Sequence, residues 1–341
     1  MAVIQEMLSD KYNTLNCDAL IQQHPWILSR GMNCILSPDS DGLLCGLFMA
    51  KYFDWNIVGF YDGKVLLLKD GVSTYDDKSV FLDMEIFRKH IKSIGHHMVL
   101  FSNRHVPEKW DNYANCIQPN NLRQYDGKNL FRLKYPFATI HLLMAIVGSQ
   151  KDLIIPQSAI APLFFTDGTF NVLYSYPENV LNWLDYLGIK NPHSPLRQLF
   201  MHEHYTVYTQ IQAMDEFFRK RDVLSVPGER GDKFIISSSG SMIKNVEPQK
   251  NGKLRITQTA LDKVLGFINL LAQTTQWEFH REQWCFENLR GYRFTKDSFE
   301  SKGWTTSIRD YNKFMELNPL SWAMTSNANI EFTLESPDTL P

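Results

Sequence analysis

Residues 35–48 read ILSPDSDGLLCGLF. An apolar run, NCILS (33–37), enters a Pro-Asp-Ser-Asp-Gly turn and leaves as a second apolar run, LLCGLFMAKYF (43–53). The first run has the length of a buried strand, and the second is long enough for a helix packed on it. Asp39 and Asp41 therefore stand where a strand passes into a helix. Negative charge in that place needs either a cap to make or a cation to hold. An aspartate before a helix is an ordinary N-cap. Paired carboxylates at a strand end are also what a hard divalent ion requires. These residues alone leave both readings open.

Working outward, residues 1–30 read as a helical lead-in. NIVGFYD (56–62) and KVLLLKD (64–70) read as strands joined at a glycine turn, and SVFLDM (79–84) as a strand ending at Asp83. EIFRKHIKSI (85–94) is expected to be helical and MVLFSN (98–103) extended. A helix is expected after Pro136 within RLKYPFATIHLLMAIVG (132–148). APLFFTDGTF (161–170) is an apolar segment ending at Asp167, and ENVLNWLDYLG (178–188) is a helix closed by Gly188. Strands alternating with helices predict an α/β fold with a mostly parallel sheet and flanking helices. Ligands of such sheets lie beyond the carboxyl ends of the strands. Asp39, Asp41 and Asp83 fall at such ends, and Asp167 is expected at another.

The texture changes after about residue 190. HEHYTVYTQIQAMDEFFRKRD (202–222) reads as a long amphipathic helix, SVPGERGD (225–232) as turn-rich, and ITQTALDKVLGFINLLAQTTQWEF (256–279) as a second long helix. The tail TLESPDTLP is polar. The expected organisation is a first domain over 1–190, a connecting helix and linker over 191–230, and a smaller α+β domain over 231–341. That last domain would bind substrate or a protein partner.

The chain has 341 residues, 44% of them hydrophobic, more than one core ordinarily serves. A formal net charge of -2 carries no global basic signature, so a nucleic-acid partner would need a local cationic groove. No run of about 18 apolar residues predicts a membrane span. The N-terminus, MAVIQEMLSDKYN, has acids where a signal peptide would be basic and then apolar. The five cysteines form no CxxC pair, which fits a reducing compartment; a cytoplasmic location is expected.

The carboxylates gain meaning beside His96 and His97 of SIGHHMV (93–99). Aspartates and an imidazole converging at strand ends suit Mn²⁺ or Mg²⁺ better than a thiolate-seeking metal. Two ions about 3.5–4 Å apart would bind a phosphate and activate a water for in-line attack. A second imidazole beside the ligand histidine would reach the phosphate or the leaving group.

Four segments in order carry a resemblance: Pro38-Asp39-Ser40-Asp41-Gly42, Phe81-Leu82-Asp83, Gly95-His96-His97 and Phe165-Thr166-Asp167-Gly168. Together they resemble the DHH phosphoesterase superfamily, which includes single-strand exonucleases, oligonucleotide phosphodiesterases and inorganic pyrophosphatases. Cys116-Ile117-Gln118-Pro119-Asn120, followed by Tyr135-Pro136-Phe137 and a helix, looks like the RecJ branch, where an Asn-Pro-Asn segment precedes a similar helix. The resemblance spans residues 30–190. It implies Asp39, Asp41, Asp83, His96 and Asp167 as metal ligands, with His97, His96 and Asp41 as catalytic residues. It implies a Mn²⁺- or Mg²⁺-dependent phosphodiesterase or nuclease acting on single-stranded DNA, RNA or short oligonucleotides.

The chain departs from the family in four places. The eponymous Asp-His-His reads Gly95-His96-His97. Ile35 and Ser37 stand where branches of the family place an acid or histidine. The gap from Asp83 to His96 is short. The C-terminal half lacks the family's Gly-Gly-Gly-His signature, and Ser237-Ser238-Ser239-Gly240-Ser241 is a loose stand-in. Two alternatives follow: a small-molecule phosphoesterase or pyrophosphatase, and a catalytically degenerate subunit that binds nucleic acid or a protein.

The other candidates have plainer readings. His141, in an apolar helix, is expected as a satisfied core histidine. His202 and His204 flank Glu203 without metal-binding helical spacing. Arg219, Lys220 and Arg221 stand among Asp215, Glu216 and Asp222, as on a mixed solvated face. Tyr205, Tyr208, Phe217, Phe218, Trp277 and Trp284 are candidates either for base stacking or for core.

Overall fold

A computed structural model describes residues 14–203, 205–224 and 233–341. The expectations for the extreme N-terminus, for His204 and for SVPGERGD lie outside the described residues. The first four runs that read as strands form as expected, and seven strands not placed from the sequence join them among the described residues. In chain order the strands are β1 (Asn33–Leu36), β2 (Asn56–Tyr61), β3 (Val65–Lys69), β4 (Ser79–Leu82), β5 (Lys92–Ile94) and β6 (Cys116–Ile117). They are followed by β7 (Val246–Pro248), β8 (Leu254–Ile256), β9 (Leu289–Ser298), β10 (Ser321–Ser326) and β11 (Asn329–Pro337). The main sheet runs β10-β11-β9-β3-β2-β1-β4-β5-β6. The pairs from β2 through β6 are parallel. Those from β2 through β3 and β9 to β10 are antiparallel. The fold is mixed α/β.

The expected C-terminal domain is not set apart by a sheet of its own. β9 pairs with β3 over Val65↔Arg293 to Lys69↔Leu289, so its strands continue the first sheet. β3 would otherwise present an unpaired apolar edge, and β9 covers it. The first five residues of the tail that reads as polar, 333–337, lie in β11.

Three local expectations give way. Residues 85–91 form no helix, and Lys92–Ile94 is a strand. Ile86 and Ile91 enter one apolar cluster and Phe87 the other, so the buried residues do not line a single helical face. The segment instead runs back along β5, with Met84 N–H on Ile94 O and Ile86 N–H on Ser93 Oγ. Residues 98–103 form no strand; Met98 O accepts from Met324 N–H and Val99 O from Trp322 Nε1. APLFFTDGTF supplies no strand end either. It is the helix Ile160–Phe165, a tight turn at Thr166–Gly168, and the helix Thr169–Ser175.

The helices that read clearly are present: Ser40–Phe53, Thr139–Gly148, Pro177–Tyr186, Val207–Asp222 and Gln258–Thr275. Gly188 closes the third of these at φ +80°. No helix among the described residues is long and apolar enough to cross a membrane.

Candidate metal centre

The turn after β1 resolves its two aspartates differently. Asp39 caps its own helix: its carboxylate accepts from Gly42 N–H at 3.1 Å and from Ser37 Oγ at 2.7 Å. Asp41 caps another helix. Its two oxygens accept from Thr139 N–H at 2.6 Å and Ile140 N–H at 3.0 Å, at the positive end of the helix Thr139–Gly148. Gly42 is required by this packing, because a Cβ there would lie 2.0 Å from Ser37 O.

Asp83 follows β4 at φ +62° and Asp167 sits in its turn at φ +49°. Both are in the left-handed region, which aspartate tolerates better than most residues. His96 follows β5. Its backbone carbonyl accepts from Asn120 Nδ2 at 3.1 Å, while Asn120 Oδ1 takes Tyr135 N–H at 2.7 Å. The Gln-Pro-Asn segment thus ties His96 to the chain entering the helix Thr139–Gly148.

Ligand atoms of Asp41, Asp83, His96 and Asp167 all lie within 4.8 Å of one another. His96 Nδ1 is 3.3 Å from Asp83 Oδ1 and 3.6 Å from Asp41 Oδ2, and Nε2 is 3.4 Å from Asp167 Oδ2. Thr139 Oγ1 donates to Asp83 Oδ1 at 2.7 Å and lies 2.9 Å from His96 Nδ1. With the hydroxyl proton on Asp83, the Thr139 oxygen is left to accept from His96 Nδ1–H. Ser40 Oγ, 3.1 Å from Thr166 Oγ1, ties the Asp167 turn to the helix Ser40–Phe53.

Asp41 and Asp83 are buried, and Asp167 is exposed. Burial, and then the charges of the neighbouring aspartates, push both buried carboxyls well above the usual range. Buried like charges of this kind are stabilised by a cation. The donor set of three carboxylates and one imidazole fits Mn²⁺ or Mg²⁺. Asp39, the fifth expected ligand, lies outside the group of four and is engaged as a cap. Ile35 is fully buried in the apolar layer, and Ser37 bonds to Asp39, so neither brings a further donor to the group.

His97 stacks on His96 at 4.4 Å between ring centroids. Its Nδ1 is 3.1 Å from Glu85 Oε2, and its backbone N–H donates to Glu85 Oε1 at 2.8 Å. Glu85 is 2% exposed, and nothing in the sequence reading had marked it. Its spacing of two from Asp83 was the available signal, obscured by the expectation of a helix. A cavity of ≈ 190 Å³ is lined by Asp39, Asp83, His97 and Asp167, and also by Lys233 and Lys296. Lys296 lies 2.9 Å from Glu331. β10 and β11 contribute the Ser321–Ala323 and Glu331–Thr333 parts of the wall.

The other candidates fall outside the site. His141 is buried, its Nδ1 accepts from Ala138 N–H at 3.2 Å, and burial lowers its pKa to about 4. It is a core histidine, as expected, though its buried Nε2 has no hydrogen-bond partner among the described residues. Phe217, Trp277 and Trp284 are core, whereas Tyr208 is 68% exposed. Arg219 pairs with Asp215 and Lys220 with Glu216 on a solvated face, while Arg221 is buried with its guanidinium 5.3 Å from the Phe165 ring centroid. Ser237 of the small-residue loop bonds to Asp62, and no residue of that loop lines the cavity. All five cysteines are free.

Compared with known proteins, the chain matches no family model, no curated protein and no solved structure.

Proposed function

We propose that the chain is a divalent-metal-dependent phosphodiesterase that hydrolyses single-stranded nucleic acid or oligonucleotides, as its resemblance to the DHH phosphoesterases leads one to expect. One observation carries the reading. Asp41, Asp83, His96 and Asp167, from four separate segments, meet within 4.8 Å, and two of them line a cavity that also holds lysines.

These four residues would hold Mn²⁺ or Mg²⁺. When bound, such an ion polarises a phosphoryl oxygen and lowers the pKa of a water. The chain's own groups do the rest. Thr139 and the helix behind it hold Asp41, Asp83 and His96 in place. His97 reaches the cavity beside them and is placed to hydrogen-bond a phosphate oxygen or the leaving oxygen. Lys233 and Lys296 stand in a wall whose charged residues are mostly acidic, and Lys296 is paired with Glu331, so the bound ion would supply the positive charge an anionic substrate requires.

The cavity's ≈ 190 Å³ also favours a second reading, a compact phosphate compound such as pyrophosphate. Both are tested by Mn²⁺-dependent turnover of end-labelled single-stranded DNA and RNA, dinucleotides and pyrophosphate, alongside Asp41→Asn and Asp83→Asn. Hydrolysis should require Mn²⁺ and fall by about 100-fold or more in each variant. A nuclease prefers polymer and binds it with steep salt dependence. Mn²⁺ binding without turnover on any substrate sinks the enzyme reading. Absence of Mn²⁺ binding as well leaves the non-catalytic subunit.

A further inference from the structure

We propose that Glu85, whose carboxyl group fills the space beside Gly95, is the residue that orients His97, so that a carboxylate at position 85 does there what an aspartate at position 95 would do in the family the chain resembles. The role of His97 in catalysis and the comparison with an Asp-His-His motif rest on the reading above; the contacts of Glu85 with His97 and with the space beside Gly95 do not.

The two positions are spatially interlocked. A Cβ built on Gly95 would lie 2.5 Å from Glu85 Cδ, 2.6 Å from Oε1 and 2.8 Å from Oε2. The Glu85 carboxyl group thus occupies the space that a side chain at 95 would enter. Backbone pairing brings the segments together. Asp83, at positive φ, turns the chain at the end of β4, and Met84 then bridges Ile94 in the antiparallel sense. Gly95 N–H is held by Ile117 O at 3.2 Å, so neither partner is on a free loop.

Glu85 engages His97 twice, at the backbone N–H and at Nδ1. A buried carboxylate on Nδ1 selects the Nδ1–H tautomer. That leaves Nε2 as the nitrogen available to the cavity that His97 lines. The short segment 83–85 therefore serves two groups: Asp83 joins the metal cluster, and Glu85 fixes the adjacent imidazole. Gly95 lies outside the left-handed region, so an aspartate can occupy that backbone once Glu85 is shortened.

The test uses Glu85→Gln, Glu85→Ala, Gly95→Asp and the double exchange Glu85→Ala/Gly95→Asp in the full chain. Imidazole ¹⁵N shifts of histidine-labelled protein, recorded where His97 is neutral, are read without metal or substrate. Wild type should show the Nδ1–H tautomer at His97. Glu85→Ala should shift it to Nε2–H, and the double exchange should restore it. Calorimetry with Mn²⁺ alone should show affinity unchanged in Glu85→Gln. On a labelled single-stranded oligonucleotide, kcat should fall about 10- to 100-fold in Glu85→Gln with KM unchanged. The double exchange should recover most of the loss seen in Glu85→Ala. Gly95→Asp alone should lose stability through the clash. An unaltered tautomer in folded Glu85→Ala, or a double exchange no closer to wild type than Glu85→Ala, overturns the proposal. Absence of turnover by wild type would overturn the phosphodiesterase reading and leave the tautomer result to decide this one.

Discussion

Thr139 serves two side chains of the site with one hydroxyl, donating to Asp83 and accepting from His96. Its backbone N–H serves a third, Asp41. Thr139→Val keeps the shape and the N–H but removes the hydroxyl. It should lower Mn²⁺ affinity about 10- to 100-fold and cost about 1–3 kcal/mol of stability from the polar atoms left unpaired. Calorimetry and urea unfolding check the two effects. An unchanged affinity would mean that packing alone orients His96 and Asp83. The carboxylates and histidines of this site were legible as residue types in a suggestive order. The positive φ of Asp83 and Asp167 was not, because nothing local demands it. Such strain costs about 1–3 kcal/mol at each position and persists only where surrounding contacts over-determine it.

At the scale of elements, the strand-to-helix passage of residues 33–53 depends on Gly42. The chain turns so tightly that the helix backbone faces Ser37 O without room for a methyl group. Gly42→Ala should therefore destabilise the protein by about 1–3 kcal/mol or more, read as a fall in the urea midpoint. An unchanged midpoint would show that the turn opens without cost. β1 through β4 were legible because each is an apolar run bounded by turn residues. Two of the three misread segments failed for opposite reasons. Residues 85–94 have spaced apolar residues, but these insert into both layers instead of lining one helical face. Residues 161–170 form a compact apolar run, which strand and buried helix share. Asp167 still reaches the site, carried there by a turn between helices.

Across the whole molecule, the last third of the chain completes the first sheet. β9 covers the β3 edge, β10 and β11 extend it, and residues from all three line the cavity. One apolar cluster runs from Leu15 to Phe332. The chain should therefore unfold cooperatively, with hydrogen-exchange protection in β1 and β9 lost at the same urea concentration. Separate transitions for residues before and after 231 would show two independent units. The sequence reading placed a boundary there because composition and periodicity change. Composition does not report which strand edge a later strand will pair with.

By itself the sequence determined the α/β character, the succession of early strands and long helices, and the residue types fit for a divalent ion. Those properties follow from local periodicity, turn chemistry and side-chain donors. The tertiary structure alone decided that Asp39 caps a helix while Asp41 joins the cluster. It also seated Glu85 in the space beside Gly95 and closed the cavity with the C-terminal strands. Each of these is a contact between residues far apart in the chain or across a reversed turn, and such contacts are set by backbone pairing and packing that no short stretch encodes.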